Sequence, residues 1–357
     1  MMAMRVAQLA SKLADAQLDA LIVTDPVNLT YLTGFTGDES VLIVSASQAM
    51  LITDGRFTTQ VAQEAPALRV VLHTDGLFPK VGQVLDDQKL KRVGFDAADM
   101  RYQQYQALAD HTQAALVPNE QLITDMRAVK SDTEVQLIQR AIDITMRGYD
   151  EVLNLVYPGM TERHIANHLA YFLQEQGATG LAFETIVASG ARGAMPHGAA
   201  TERVIEAGDV ITLDFGASYQ GYAADVTRTF AVGQPDAQLQ EVYRVAYQAN
   251  RAGAASLAPG VSGRDLDTAV RDVIVAAGFG QYYNHGTGHG IGLSIHEAPG
   301  AWRPYVNAPQ VVGNVETIEP GIYLPDLGGV RIEDDFLVTT DGNRQLTPAA
   351  PSELLVI

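Results

Sequence analysis

Two aspartates, Asp214 and Asp225, occur within residues 210–230, VITLDFGASYQGYAADVTRTF, a stretch with the pattern of a β-hairpin. Apolar and polar residues alternate on both sides of a polar turn, as is typical of paired strands. With the turn centred between Tyr219 and Gln220, Asp214 is predicted to lie directly opposite Asp225. Like charges that face each other across two strands destabilise a sheet. The pattern therefore predicts a cation between these carboxylates.

A second pair of carboxylates has the same arrangement in residues 319–333, EPGIYLPDLGGVRIE. With the turn centred on Asp326, Glu319 is predicted to lie opposite Glu333, and Arg331 falls on the same face, where it would steady a carboxylate. Four carboxylates carry four negative charges, which two divalent cations would balance. A ligand set rich in oxygen suits Mn²⁺, and with one imidazole it also suits Co²⁺ or Zn²⁺.

Candidate imidazoles are concentrated in residues 282–297, YYNHGTGHGIGLSIHE, where His285, His289 and His296 stand among glycines that allow close backbone approach. One of the three could instead be a packed core residue. A further histidine, His197, lies in the similar segment AMPHG. The glycines do not have the G-x-G-x-x-G spacing of a dinucleotide site. The segment therefore supplies the nitrogen ligand that the carboxylates lack.

The elements that position these residues fall into two predicted domains, residues 1–128 and 129–357. The first alternates helical and strand patterns, which predicts an α/β domain with a mixed sheet. Its predicted strands are DALIVT, SVLIVS, AMLIT, LRVVLH and RVGFD.

The second domain contains an apparent internal duplication. A capping box at Ser131 predicts a helix to about residue 156, and a second capped helix is followed by the first acidic hairpin. From Asp236 the same order repeats, ending in the second hairpin. Shared turn chemistry can produce such matches by chance, but a true duplication would bring both hairpins to one central site. At an offset of 101, the matched residues are Pro158, Gly159, Thr161, Arg163, Ile165 and Gly177 with Pro259, Gly260, Ser262, Arg264, Leu266 and Gly278.

Composition narrows the class of protein. The chain has 357 residues, of which 47% are hydrophobic, enough to form the cores of two globular domains. A formal net charge of −18 argues against nucleic acid as a partner. There is no cysteine, which excludes disulfides, thiolate metal sites and cysteine nucleophiles. No apolar run is long enough for a membrane span, and the N-terminus lacks a signal-peptide pattern. We expect a cytoplasmic protein without a membrane partner.

Five motifs together resemble those of the pita-bread metallopeptidases: DFG with Asp214, AADVTRT with Asp225, TGHGIG with His289, EPGIY with Glu319 and GGVRIEDD with Glu333. Within that family the chain is most similar to Xaa-Pro aminopeptidases (aminopeptidase P) and Xaa-Pro dipeptidases (prolidases). The resemblance covers nearly the whole chain. It implies an α+β fold class: a C-terminal pita-bread (creatinase/aminopeptidase) domain with a pseudo-twofold repeat and a curved antiparallel sheet, preceded by a creatinase-type N-terminal α/β domain.

The resemblance also implies a role for each motif residue. Asp225 and Glu333 would bridge two divalent metal ions, Asp214 would complete one site, and His289 with Glu319 would complete the other. Water activated by the metals would be the nucleophile, with Glu319 as proton shuttle.

Further residues would handle the substrate. The family resemblance makes His197 and His296 catalytic hydrogen-bond donors to the scissile carbonyl. His285 would line the prolyl subsite, and Arg331 would support the substrate-binding side of the site.

The resemblance predicts removal of the N-terminal residue from peptides with proline in second position. Gly198 and Gly286 stand where many bacterial Xaa-Pro dipeptidases are expected to have Gln and Arg, which favours an Xaa-Pro aminopeptidase. An Xaa-Pro dipeptidase is the alternative. A non-catalytic pita-bread binding module is a remoter one, opposed by retention of all five ligand positions. Family resemblance further suggests Mn²⁺ as the metal and a homodimer.

Overall fold

The structure is a computed structural model that describes residues 2–300 and 302–357. It divides into two compact units, the first ending at Met126 and the second beginning at Arg127. Among the residues described, no helix is both long enough and apolar enough to cross a membrane.

The first unit is built on a six-stranded sheet with the strand order β4-β3-β2-β1-β5-β6. Strands β1 and β2 are apolar and buried along their whole length, as expected for central strands covered on both faces. β2 pairs antiparallel with β1 and β3, while the other pairs are parallel. The mixed sheet and its five predicted strands are thus confirmed, and β6 is an additional strand. The elements are α1 (Met2–Lys12), β1 (Ala20–Val23), α2 (Pro26–Thr33), β2 (Val41–Ser45), β3 (Ala49–Thr53), α3 (Thr58–Glu64), β4 (Arg69–Leu72), α4 (Leu77–Asp87), β5 (Arg92–Phe95), α5 (Tyr102–Ala109) and β6 (Ala115–Pro118).

The second unit places two helix pairs around small, mainly antiparallel sheets that carry the acidic hairpins. Helix α6 (Leu122–Ala128) leads into it. The sheets have the strand orders β11-β10-β7, β18-β12-β9-β8, β13-β16-β17 and β14-β15. The elements are α7 (Asp132–Leu155), α8 (Glu162–Glu175), β7 (Gly180–Leu181), β8 (Ile186–Ser189), β9 (Val210–Phe215), β10 (Ala217–Tyr219), β11 (Tyr222–Ala223), β12 (Val226–Ala231), α9 (Ala237–Ser256), α10 (Gly263–Ala276), β13 (Val315–Ile318), β14 (Gly321–Leu324), β15 (Gly328–Arg331), β16 (Asp334–Thr339), β17 (Gly342–Gln345) and β18 (Leu355–Val356).

The helix starts of this unit follow the predicted caps. Glu134 Oε2 accepts hydrogen bonds from the backbone N and the hydroxyl of Ser131, which closes the capping box of α7. Thr161 caps α8 and Ser262 caps α10 through their side-chain oxygens. The order of two helices followed by an acidic hairpin therefore occurs twice, as predicted.

The register of the first hairpin differs from the prediction. Asp214 pairs with Thr227, not with Asp225. The turn is formed by Gln220 and Gly221, both with positive φ (49° and 85°), as in the two-residue turns that match strand twist. This turn lies one residue later than predicted and shifts the register by two. Because side chains alternate with a period of two, Asp225 stays on the face of Asp214 as its diagonal neighbour.

The second hairpin has the predicted register. Gly321 pairs with Arg331, and the same register continues through Ile318 and Asp334 in the adjoining sheet. Glu319 and Glu333 fall between these pairs at facing positions, and the symmetric turn contains Asp326 with φ of 65°.

Gly216 allows the arms of the first hairpin to approach closely beside Asp225. A Cβ atom on Gly216 would lie 1.8 Å from the carbonyl oxygen of Ala224, whereas one on Gly180 would meet nothing within 4 Å. We expect Gly216→Ala to lower the free energy of unfolding by about 1–3 kcal/mol, or more, because backbone rather than a flexible side chain must move. Urea denaturation, with Gly180→Ala as the matched control, checks this. Equal midpoints for the two variants would contradict it.

Candidate metal centre

Three side chains from separate segments form a tight buried group. One ligand atom from each of Asp225, His289 and Glu333 lies within 4.8 Å of the other two. Asp225 precedes β12 and Glu333 follows β15, so each hairpin contributes one carboxylate. His289 is positioned by β13, since its carbonyl accepts from the backbone N of Thr317, 2.8 Å away. Carboxylate and imidazole ligands in this arrangement can hold a divalent cation.

The other two predicted ligands line the same cavity of about 500 Å³. Glu319 Oε1 lies 3.8 Å from His289 Nε2, and Asp225 Oδ2 lies 3.5 Å from the same nitrogen. Asp214 is turned toward Arg331, whose Nη2 donates to its Oδ2 at 2.6 Å. The second oxygen, Oδ1, is buried and has no hydrogen-bond partner among the residues described. All five side chains therefore meet in one cavity.

The hydrogen bonding of His289 leaves a ligand atom facing the carboxylates. Its Nδ1 lies 3.2 Å from the carbonyl oxygen of Gly290, which can only accept, so the proton is on Nδ1 and the lone pair is on Nε2. Burial, reinforced by nearby His296, lowers the pKa of His289 to about 3. A neutral imidazole with its lone pair aimed at carboxylates is unfavourable unless a cation lies between them. The donor set thus fits a metal ion.

Electrostatics lead to the same conclusion. Burial, with the adjacent Glu333 charge second, raises the pKa of Asp225 well above its usual range. Burial and then Glu319 do the same for the pKa of Glu333. The pKa of Glu319 rises to about 8, chiefly through burial, although Arg331 opposes the rise. These carboxylates resist ionisation without a cation, and divalent metal ions would supply the missing positive charge.

Arg331 supports the carboxylates from one side. Besides Asp214, it donates through Nε to the hydroxyl of Thr227 at 3.1 Å, and Thr227 in turn donates to Glu333 at 2.7 Å. Its Nη1 donates to the hydroxyl of Tyr323 at 2.9 Å. One guanidinium thereby orients two of the acids. Sequence reasoning did not identify Thr227 or Tyr323 as part of this network, although the alternation of the hairpin puts Thr227 on the acidic face.

The remaining predicted histidines line the cavity in different environments. His285 Nδ1 donates to the carbonyl of Gly286 at 2.7 Å, so its Nε2 accepts from Tyr323, 2.8 Å away. Burial, with Arg331 nearby, lowers the pKa of His285 to about 4. His197 and His296 are exposed and face the open cavity. The His296 ring is 4.1 Å from that of His289, centroid to centroid.

One buried carboxylate at the site was not anticipated. Asp335 is fully buried and its Oδ2 accepts from the backbone N of Asp225 at 3.3 Å. It therefore fixes the backbone that presents Asp225. The sequence contained one signal for Asp335: it is two residues from Glu333, a spacing that places residues of an extended chain on one face.

Comparison with protein-family models identifies the family. The model described as metallopeptidase family M24 matches residues 136–340, and the creatinase/prolidase N-terminal domain matches residues 5–129. The chain belongs to metallopeptidase family M24. Membership confirms the predicted resemblance and the predicted fold class, a creatinase-type N-terminal domain followed by a pita-bread domain.

The similarity to individual relatives extends over nearly the full length of this chain. The uncharacterized peptidase YqhT of Bacillus subtilis is 38% identical and covers 99% of this chain and 100% of its own. An Xaa-Pro dipeptidase from Bacillus anthracis is also 38% identical, with a TM-score of 0.96 over 100% of both chains. An X-Pro aminopeptidase from Thermotoga maritima is 34% identical, with a TM-score of 0.89 over 96% of this chain and 98% of its own. The named relatives thus include both exopeptidase types.

Replacing a central ligand tests the metal centre. We expect Asp225→Asn to retain the fold but lose at least one equivalent of bound Mn²⁺, because an amide does not supply the negative charge of a carboxylate. Inductively coupled plasma mass spectrometry after dialysis measures the metal, and circular dichroism the fold. Asp326→Asn is the matched control, since this exposed aspartate lies in the turn of the second hairpin. Equal metal content in both variants would contradict the assignment.

The raised carboxyl pKa values predict how metal removal affects stability. A carboxyl whose folded pKa exceeds its unfolded pKa loses stabilisation as pH rises between the two values. From pH 6.5 to about 8 the lowered pKa values of His285 and His289 leave both neutral, so the acids dominate. Over this window, the ionisation of Glu319 should lower the free energy of unfolding of the metal-free protein by at most about 2 kcal/mol. The decrease is smaller than this limit because the Glu319 side chain is 20% exposed.

Chemical denaturation at several pH values, with chelator or with saturating Mn²⁺, measures this slope. Glu319→Gln should make this slope shallower in the metal-free protein, since an amide does not titrate. A metal-free stability that is constant or rises between pH 6.5 and 8 is the opposite result.

Proposed function

We propose that this M24 metallopeptidase removes the N-terminal residue from peptides with proline in second position, as an Xaa-Pro aminopeptidase. The observation that supports the proposal most is the meeting of four carboxylates and one correctly oriented imidazole in a cavity of about 500 Å³. In the proposal, Asp214, Asp225, His289, Glu319 and Glu333 would together hold two divalent ions. When bound, these ions would polarise the scissile carbonyl and lower the pKa of a water molecule.

The side chains of the cavity have separate tasks in this proposal. An Xaa-Pro bond has no amide N–H, so the enzyme must hold the free α-amine and the carbonyl oxygen instead. His197 and His296, the exposed imidazoles, donate hydrogen bonds to the oxyanion that develops on that carbonyl. Glu319 takes a proton from the attacking water and passes it to the proline nitrogen that leaves, as a proton shuttle.

His285 forms one wall of the proposed prolyl subsite. It is held through Tyr323 by Arg331, so its ring orientation is fixed before substrate binds. A rigid aromatic wall suits the compact pyrrolidine ring. Arg331 supports this subsite and Asp214 together without needing to touch the substrate.

An Xaa-Pro dipeptidase is the second candidate, and one structural observation favours it. Arg303 lines the cavity and is exposed, with its guanidinium within 3.3 Å of the Tyr305 hydroxyl. A guanidinium at this position could bind the C-terminal carboxylate of a dipeptide. The Bacillus anthracis relative with the TM-score of 0.96 is named a dipeptidase.

Three further properties belong to the proposal. Mn²⁺ is the proposed metal, supported by the predominance of oxygen ligands. A homodimer and a cytoplasmic location are proposed from the resemblance to the family, in line with the absence of a membrane-spanning helix from the residues described.

Substrate length decides between the two candidates. With Mn²⁺ present, we expect an Xaa-Pro-Yaa-Zaa peptide to be hydrolysed with a higher kcat/KM than the corresponding Xaa-Pro dipeptide. Mass spectrometry should show release of the first residue alone, and a peptide with alanine replacing proline is the control. Turnover restricted to the dipeptide would establish the dipeptidase instead.

The same assay evaluates Arg303. If Arg303 binds a substrate carboxylate, Arg303→Met should raise KM for the dipeptide by roughly 10-fold, equivalent to one charge-assisted hydrogen bond, while Arg303→Lys raises it less. For the proposed aminopeptidase, both variants should leave KM for the tetrapeptide within about twofold of the wild type.

A further inference from the structure

Two buried carboxylates outside the metal centre each hold a loop that carries a cavity histidine. Glu162 lies at the start of α8 and is fully buried, and Asp267 lies on α10 with 1% exposure. Neither lines the cavity. Glu162 accepts several hydrogen bonds from a segment that follows its helix and contains His197. Asp267 accepts one from Thr287, in the segment that contains His285, and reaches the rest of that segment through Arg271.

Glu162 binds both ends of the loop formed by residues 189–201. Its Oε1 accepts from the backbone N and the hydroxyl of Ser189, at 2.9 and 2.7 Å. Its Oε2 accepts from the backbone N and the hydroxyl of Thr201, at 3.0 and 2.7 Å, and from Arg192 in the middle of the loop. One carboxylate therefore receives five hydrogen bonds from three points of the loop that presents His197.

The charge of Glu162 is required for this arrangement. Burial opposes ionisation, yet hydrogen bonds from Ser189, Thr201 and Arg192 outweigh it and lower the pKa of Glu162. A carboxylate only accepts hydrogen bonds, so all five donors can be satisfied at once. A glutamine in the same place would direct its NH₂ group against donors on one side.

Asp267 has a corresponding arrangement in the second half. Arg271 donates to both of its oxygens, at 2.8 and 2.9 Å, and the hydroxyl of Thr287 donates to Oδ1 at 3.0 Å. The same guanidinium donates to the backbone carbonyls of Tyr283 and His285, at 3.2 and 3.1 Å. Residues 283–287, which contain His285, are therefore fixed at both ends.

The two carboxylates are not equivalent in the sequence repeat. At the offset of 101, Glu162 corresponds to Gly263, where an added Cβ atom would lie 2.4 Å from the ring of the fully buried Trp302. Trp302 occupies the space that a carboxylate would need. Asp267 lies four residues after Gly263, one helical turn further along the same face.

We propose that Glu162 and Asp267 are positioning residues for the reaction: Glu162 sets His197, and Asp267 sets His285, at the wall of the cavity. The inference rests on the proposed function for its effect on catalysis. Each carboxylate acts through its own loop. Neither carboxylate contributes to metal binding.

Double-mutant cycles in the presence of Mn²⁺ test the proposal. Glu162→Gln should lower kcat/KM for an Xaa-Pro peptide by roughly 10- to 100-fold, because small misplacements of a catalytic group are costly. In a His197→Ala background the same change should have little further effect, whereas in a His285→Ala background the two losses should multiply. Asp267→Asn should show the reverse pattern. The proposal would be overturned if the loss of kcat/KM from each carboxylate variant multiplied with the loss from each histidine variant in both backgrounds.

Two measurements separate positioning from folding. Metal content of Glu162→Gln and Asp267→Asn should equal that of the wild type. Hydrogen exchange should accelerate in residues 189–201 only for Glu162→Gln, and in residues 283–287 only for Asp267→Asn. Unchanged exchange in the matching loop, or loss of metal, would overturn the proposal.

Matched controls exist on the surface of each half. Glu202, exposed and 3.5 Å from Arg163, is changed to Gln, and Asp272, exposed on α10, is changed to Asn. Both should retain wild-type exchange and kcat/KM. If Glu162→Gln does not fold, Thr201→Val removes one donor while keeping the carboxylate, and should still loosen residues 189–201. If the wild type has no peptidase activity, the proposed function fails, and the exchange data still decide whether the carboxylates hold their loops.

Discussion

Four carboxylates lie together in one buried cavity, and the repulsion between their charges is unfavourable. The second unit must offset this repulsion. Among the residues that the structure describes, Arg331 is the cation that pairs with one of these carboxylates, Asp214. The pKa values of Asp225, Glu319 and Glu333 are all raised, which means that these acids hold protons until other positive charge arrives. Divalent cations can replace those protons, and the neutral His289 completes the ligand set. Metal binding and carboxyl ionisation are therefore one coupled process.

The fold resists this repulsion with rigid connections behind the ligands. Arg228 is 2% exposed and donates to the carbonyls of Thr227 and Glu333, at 3.0 and 2.6 Å, which ties the two hairpins together. Its charge is balanced by the fully buried Asp334, 2.7 Å away. A buried ion pair contributes little net stability compared with apolar packing, but it specifies one arrangement because either charge alone would be costly. The spacing of the ligands is thus set before any metal binds.

The sequence predicted the structure best where the local residue pattern is compatible with only one conformation. Capping residues such as Ser131 fixed the helix starts, and the symmetric turn around Asp326 gave the correct register of the second hairpin. The first hairpin was misaligned because the polar run at its tip allows two turn positions, and only the preference of Gly221 for positive φ distinguishes them. The error of two residues preserved the face, so the cavity was predicted although the pairing was wrong.

Contacts that form only in the tertiary structure could not be predicted from the sequence. Glu162 looks like an ordinary acidic residue in a first helical turn, a position favoured by the helix dipole whether or not the residue is buried. Its counterpart Asp267 is displaced by one turn because Trp302 packs against Gly263, so the sequence repeat conceals the relation. Only the folded chain shows that both carboxylates are removed from solvent and hydrogen-bonded to a loop.

The choice between aminopeptidase and dipeptidase depends on a different part of the chain from the metal ligands. The family resemblance makes Gly286 a sign of the aminopeptidase, yet a Cβ atom there would lie 2.6 Å from the carbonyl of Trp302, so local packing alone requires glycine. A Cβ on Gly198 would similarly be 3.1 Å from that of Ala188. Residues selected by packing carry little information on substrate length. Exposed cavity residues such as Arg303 have no packing requirement, and their charge is free to reflect whether the substrate ends after proline or continues.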